Sequence, residues 1–292
     1  MLVTWRYRPR NSIVEKFDPR ARWLFSFLIL FALTQFWDLR FLLFFFAIVI
    51  IQYVLARVTW EETKRAWMFI LIFVVGIVAL NTVFTGRGGP AEVLRGGHIV
   101  WRTEFEILGL NIHPTITVER IWFAIAQVVR MVSISGLFLI VPYTMNPRHY
   151  GATFQAMGMP DRFAFSMDLA FRFVPTLARD FGTTLDAQKA RGYEVEKLEG
   201  GLIAQIRKMA PLVVPVTMNA ILSGEDITNA MDLRCFGIRQ RTWVYELTYN
   251  TRDYVLIAAS VIIFIASLVL RYAFGIGRAV WFPVWALSRA GG

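Results

Sequence analysis

Ile121–Tyr143 reads IWFAIAQVVRMVSISGLFLIVPY, 23 residues with a single charge. As a helix it is about 35 Å long, enough to cross a hydrocarbon core of about 30 Å. That reading decides the class: an all-α integral membrane protein. Arg130 sits in the middle of the run. A charge at that depth faces protein or water rather than lipid. It is read either as a gate or partner contact, or as an arginine packed between helices and bonded to backbone carbonyls.

Working outward, Trp23–Trp37 and Phe41–Ala56 are two further apolar runs, split by Asp38-Leu39-Arg40. So short a break predicts a helical hairpin. Asp18-Pro19 opens the first run with an N-cap residue followed by a proline at the first helical position. A basic polar loop is expected over Arg57–Arg65, and further spans over Trp67–Thr85 and Tyr254–Phe274. The chain is therefore expected to cross about five times. The basic start Met1–Arg22, read as a retained cytoplasmic segment, and the first basic loop set the N-terminus inside a cell (cytoplasmic) membrane. The basic end Arg271–Arg278 argues mildly against that orientation. Between spans three and four, Gly86–Glu119 is glycine-rich and predicts a short hairpin of Ile99–Trp101 against Phe105–Leu108.

Composition agrees with lipid. Apolar residues make up 56% of the chain and mean hydropathy is +0.50, too oily for a soluble domain. The net charge of +10 flanks apolar runs, which suits anionic lipid and the positive-inside rule better than nucleic acid. One cysteine, Cys235, rules out an internal disulfide, and three scattered histidines give no metal-ligand spacing.

The character changes after Tyr143. Residues 146–253 carry 13 Lys/Arg against 12 Asp/Glu. They separate a membrane region, 1–145, from a last span and tail, 254–292. A short helix near Arg148–Met157 is predicted to stop at Gly158 and Pro160, and a long one to start at Asp161. Phe163, Met167, Ala170, Val174, Leu177, Phe181 and Leu185 form an apolar stripe at helical period, with Asp168, Arg172, Thr176, Arg179, Thr183 and Asp186 on a polar stripe. Pro175 should kink this helix and Gly192 should cap it. Gly200-Gly201 opens a second long segment. Its apolar core, Leu212–Leu222, is too short for a span and fits a bent helix lying along or dipping into the membrane.

Two segments of this charged region look like copies. Asp186-Ala187-Gln188-Lys189-Ala190-Arg191-Gly192-Tyr193 and Asn229-Ala230-Met231-Asp232-Leu233-Arg234-Cys235-Phe236 each read Ala, three residues, Arg, a small residue, an aromatic. An exposed arginine at a helix C-terminus is favoured by the helix dipole and offers a planar fork to a carboxylate.

These segments, with Tyr7-x-Pro9-x-Asn11-Ser12, Phe17-Asp18-Pro19-Arg20-x-Arg22, Gly109-Leu110 and Arg172-Phe173-Val174-Pro175, carry a resemblance over nearly the whole chain. The chain resembles the transmembrane (T) component of energy-coupling factor transporters, ABC importers of vitamins and transition-metal ions. Ala190-Arg191-Gly192 is similar to the first of that family's two Ala-Arg-Gly signatures. Leu233-Arg234-Cys235 stands at the second and keeps only the arginine. The resemblance implies that Arg191 and Arg234 enter grooves on two cytoplasmic ABC ATPases. Those partners bind ATP, while this chain binds no cofactor. The motion would pass to a membrane substrate-binding S component, for which the Phe163–Leu185 stripe is the candidate surface. That stripe reads equally as lipid contact.

Other classes fit less well. An intramembrane enzyme needs an acid–base pair, an activated nucleophile or metal ligands at depth, and Ser133 and Ser135 stand in the fourth span without a base. No Gly-x-x-x-x-Gly-Lys loop is present, so the chain is not its own ATPase. The alternative from another class is a stand-alone secondary transporter or channel, which calls for a repeat within the spans; the repeat here lies in the charged region.

Overall fold

The computed structural model describes residues 10–81, 99–102, 105–107, 110–112, 115–193, 202–238 and 247–274. The chain is an all-α membrane protein that divides into two compact units, Arg8–Met145 with Thr248–Gly292, and Asn146–Leu247 with Met1–Tyr7.

In the first unit, α1 (Pro19–Thr34) begins as its sequence predicts. Asp18 caps it by accepting from the Arg20 amide at 2.8 Å, with Pro19 in the first turn. Asp38 repeats the device on α2 (Leu39–Leu55), accepting from Arg40 N at 2.9 Å, which makes the hairpin turn short. The loop predicted over Arg57–Arg65 is much shorter. Arg57 takes the left-handed φ of 51°, and α3 (Trp60–Leu80) starts at once. Glu61 and Glu62 fill its first turn, where a helix N-terminus favours negative charge. The last residues of the predicted third span, 82–85, lie outside the described residues.

Two more helices complete this unit, α4 (Val118–Thr144) and, after the whole of the second unit, α8 (Thr251–Tyr272). Helices α3, α4 and α8 are long and apolar enough to cross a membrane, and α2 is a shorter apolar helix. The core joins Ile29, Leu33 and Phe36 of α1 and its end to Leu42, Phe45 and Val49 of α2 and Leu137 of α4. Gly136 lets α2 and α4 touch: a Cβ there would lie 2.6 Å from Val49 Cγ1. Large side chains face outward on α3, with Phe69 71% and Ile72 68% exposed. Lipid solvates such a surface where water would not.

Arg130 packs between helices. It is 8% exposed, donates from Nη2 to the Phe36 carbonyl at 2.5 Å and lies 4.2 Å from the centre of the Trp37 ring. Ser133 Oγ bonds the Val129 carbonyl at 2.7 Å, an ordinary helix back-bond rather than a nucleophile's contact. At the other end of α4, Arg10 and Arg22 donate to the carbonyls of Tyr143 and Thr144 at 3.0 and 3.1 Å. Asp253, fully buried, caps α8 through Asn250 N at 2.8 Å and also accepts from Asp18 N at 2.7 Å. One carboxylate thus serves the first turns of two helices that are 235 residues apart in sequence.

The predicted pairing between spans three and four is corrected. β1 (Ile99–Arg102) pairs antiparallel with β4 (Thr115–Thr117), and β2 (Phe105–Ile107) with β3 (Leu110–Ile112). The rest of the glycine-rich stretch, Gly86–Gly97, lies outside the described residues, as do Tyr7, Pro9, Gly200-Gly201 and the tail, residues 275–292.

In the second unit, a 3-10 turn (Pro147–His149) leads into α5 (Tyr150–Ala156), and Gly158 at φ 101° ends it. Then follow α6 (Asp161–Ala190) and α7 (Leu202–Leu233). α5 covers part of α6. A Cβ on Gly151 would fall 2.8 Å from both Ala164 O and Asp168 Cβ, and Tyr150 stacks on Phe171 at 5.0 Å. Asp168, expected on the polar stripe, is therefore buried, with Arg172 bridging to it at 3.0 Å from the exposed side.

Candidate functional site

Both copied segments fold into the same helix ending. At the end of α6, Arg191 is the C-cap and Gly192 turns left-handed at φ 85°. Gly192 N bonds Lys189 O at 2.9 Å and Tyr193 N bonds Gln188 O at 3.0 Å. At the end of α7, Cys235 N bonds Asp232 O at 2.9 Å and Phe236 N bonds Met231 O at 3.0 Å. This paired pattern is the Schellman ending, and it satisfies carbonyls that a helix end otherwise leaves open. The departure from Ala-Arg-Gly at the second copy does not change the backbone. Cys235 adopts φ 54°, the conformation glycine would take, and Gly237 follows at φ 86°.

The ending fixes where each arginine goes. The chain reverses immediately after it, so Arg191 and Arg234 stand exposed at the tips of their helices. Ala190 and Gly192 beside Arg191, and Leu233 and Cys235 beside Arg234, are exposed as well; Leu233 is 87% exposed. Each tip thus offers a cation with small or apolar neighbours, held at the negative end of a helix dipole.

α6 and α7 run antiparallel. Gln188 donates to the Pro211 carbonyl at 3.4 Å, Asn219 to Asp180 at 3.2 Å, and Phe165 packs on Phe236 at 4.4 Å. Pro215 has no N–H for the carbonyl four residues earlier, which is Pro211's, so Gln188 supplies the missing donor from the facing helix. Antiparallel pairing sends the two arginine tips to opposite ends. Along 30-residue α6 that separation is on the order of 40 Å. Sequence repetition pointed to two tips; their opposition was not legible, because it depends on which helix faces which.

Of the expected apolar stripe, Phe163 is 57% exposed and Ala170 and Val174 are exposed, while Met167, Leu177 and Phe181 are half-buried. Part of that stripe is thus covered and part is open. A second surface was missed: Val213, Val214, Met218, Ile221 and Leu222 of α7 are each 47–58% exposed. The signal lies in Leu212–Leu222, which reads from sequence as a bent helix along or dipping into the membrane rather than as a partner surface. Among the described residues, no three His, Cys, Asp or Glu side chains gather as a metal site needs.

Comparison with known proteins bears on all of this. The model of a family described as "CbiQ: Cobalt transport protein" matches residues 10–244. An energy-coupling factor transporter transmembrane protein EcfT of Staphylococcus aureus is 26% identical over 290 residues, 93% of this chain and 98% of that protein. Another EcfT, of Thermanaerovibrio acidaminovorans, is 27% identical over 86% of this chain and 89% of its own length. A Bifidobacterium longum protein, named as a putative ABC transporter ATP-binding protein, is 26% identical over 89% of this chain but only 32% of its own length.

Proposed function

Since the chain belongs to the CbiQ family, the transmembrane (T) components of energy-coupling factor transporters, we propose that it couples two cytoplasmic ABC ATPases to a substrate-binding membrane S component. The cargo is a vitamin or a transition-metal ion, selected by the S component. The N-terminus lies on the cytoplasmic side with the α6–α7 pair. This chain carries out no bond chemistry; ATP binds to the partners.

The observation that carries the reading is the pair of identical helix endings at opposite tips of one antiparallel pair. Two like sites far apart suit two like partners. Arg191 and Arg234 each enter an acidic groove on one ATPase, where the guanidinium fork meets a carboxylate bidentately. Closure of the ATPases on ATP moves the tips, and the packed helices transmit that motion as levers. The exposed apolar faces of α6 and α7 carry it to the S component. A relative that includes a chain like this one within a longer ATP-binding protein supports the ATPase partnership.

The test is a double reversal of charge, Arg191→Glu with Arg234→Glu, in the chain expressed with its neighbouring ATPases. The expected result is normal membrane insertion, no ATPases recovered on purification in mild detergent, and no uptake. Full recovery and uptake would overturn the reading.

A further inference from the structure

The end of α1 gathers more positive charge than its surroundings account for. α1 has 16 residues, about 24 Å, shorter than the roughly 30 Å hydrocarbon core. Started at one headgroup level, α1 brings the carbonyls of its C-cap Gln35 and of Phe36 just beyond it short of the other level, past the reach of the helix's own amides. Two arginines from other helices reach them. Arg130 of α4 bonds Phe36 O, and Arg271 of α8 bonds the adjacent Gln35 O. Two full positive charges thus sit on neighbouring carbonyls, while a helix C-terminus supplies only about half a negative charge.

Nothing described in the chain neutralises the rest. Among the described residues, neither arginine forms an ion pair with a carboxylate. The nearby Asp38 is turned to the Arg40 amide that starts α2. Arg130 is more than nine-tenths buried, and its Nε has no partner. The buried Oε1 of Gln35, whose main-chain carbonyl Arg271 bonds, has none either, and its amide can present either end to a ligand. A buried charge left in this state is costly, so an anion belongs here.

The rim says which anion. Trp37 lies under Arg130, and Tyr272 and Phe274, each 69% exposed, flank Arg271 in sequence. Exposed aromatic rings beside arginine mark the level where a bilayer's headgroups begin. We propose that Arg130 and Arg271 together hold the phosphate of a phospholipid headgroup at the recessed end of α1, drawing the bilayer inward at that point. With two cations and one half-charge, the site favours an anionic lipid over a zwitterionic one. The site is independent of the ATPase contacts and stands or falls without them.

The test uses the full chain, delipidated in detergent and titrated with phosphatidylglycerol, phosphatidylcholine or inorganic phosphate. Thermal midpoint and lipid retention in native mass spectrometry are the two readouts. The variants are Arg271→Gln, which removes one fork, and Arg271→Lys, which keeps the charge but not the fork. Lys64→Gln, on an exposed surface pair, controls for net charge. Phosphatidylglycerol should bind and stabilise the wild type more than phosphatidylcholine, with no response to inorganic phosphate. Arg271→Gln should weaken the lipid response roughly tenfold, the size of one lost charge-assisted hydrogen bond. Arg271→Lys should fall between, and Lys64→Gln should match the wild type. Equal responses from wild type and Arg271→Gln would overturn the proposal. So would a full response to inorganic phosphate, or lipid binding that vanishes when a partner membrane protein is added, since the occupant would then be a free anion or a partner's acid.

Discussion

Cys235 holds a backbone conformation that costs an L-residue about 1 kcal/mol and costs glycine almost nothing. Gly192 holds the equivalent place in the other copy, and a Cβ there would meet nothing within 4 Å. Any effect of Gly192→Ala is therefore a backbone effect alone. Opposite signs are expected: Cys235→Gly should stabilise the end of α7 by about 1 kcal/mol, and Gly192→Ala should destabilise the end of α6 by a similar amount. Hydrogen exchange at the Phe236 and Tyr193 amides reads both, because each is the long bond of its ending. At this scale the sequence was informative about type and silent about geometry. The spacing of Arg191 and Arg234 was visible as a repeat. That Cys235 would adopt the glycine conformation was not, since the Schellman bonds of its neighbours impose it. Arg130 reads from sequence as a gate or partner contact or as a packing residue; its bond to Phe36 O, distant in sequence, places it between helices.

Among elements, periodicity and caps served well where local chemistry rules, as in α1 after Asp18-Pro19 and α6 from Asp161. They failed where tertiary neighbours rule. Asp168 reads as polar surface along α6, yet Gly151 brings α5 onto it. The strands between spans three and four could be seen, but their partners could not, since β1 pairs with the distant β4 rather than with its neighbour in sequence. The contact of α2 with α4 gives a direct test of such packing. Gly136→Ala forces Val49 Cγ1 to retreat from 2.6 Å, and overpacking of this kind typically costs about 1–3 kcal/mol. Adding Val49→Ala should recover part of the loss by removing the atom that collides. Thermal unfolding of the three variants in one detergent measures it; equal midpoints for Gly136→Ala and the double variant would mean the two helices do not meet there.

For the whole molecule, function rests on joining parts far apart in sequence. Asp253 ties the first turn of α8 to that of α1, so Asp253→Ala strands the Asp18 and Asn250 amides and should lower stability by about 2–4 kcal/mol. ATPase coupling makes a sharper demand. If each arginine tip engages a separate ATPase, the partners bind as a bivalent pair, and losing one tip leaves the other attached at a high effective concentration. Arg191→Ala or Arg234→Ala alone should then weaken ATPase retention about 10- to 100-fold, the range of one charge-assisted contact, and by similar amounts for the two. The double variant should lose roughly the product of the two factors, because tips on the order of 40 Å apart share no neighbours. Retention measured by titrating ATPases onto the purified chain separates the cases. Near-additive free energies would fit two independent docking sites. A single variant as defective as the double would place all the coupling at one tip, and the identical ending at the other would then need a different explanation.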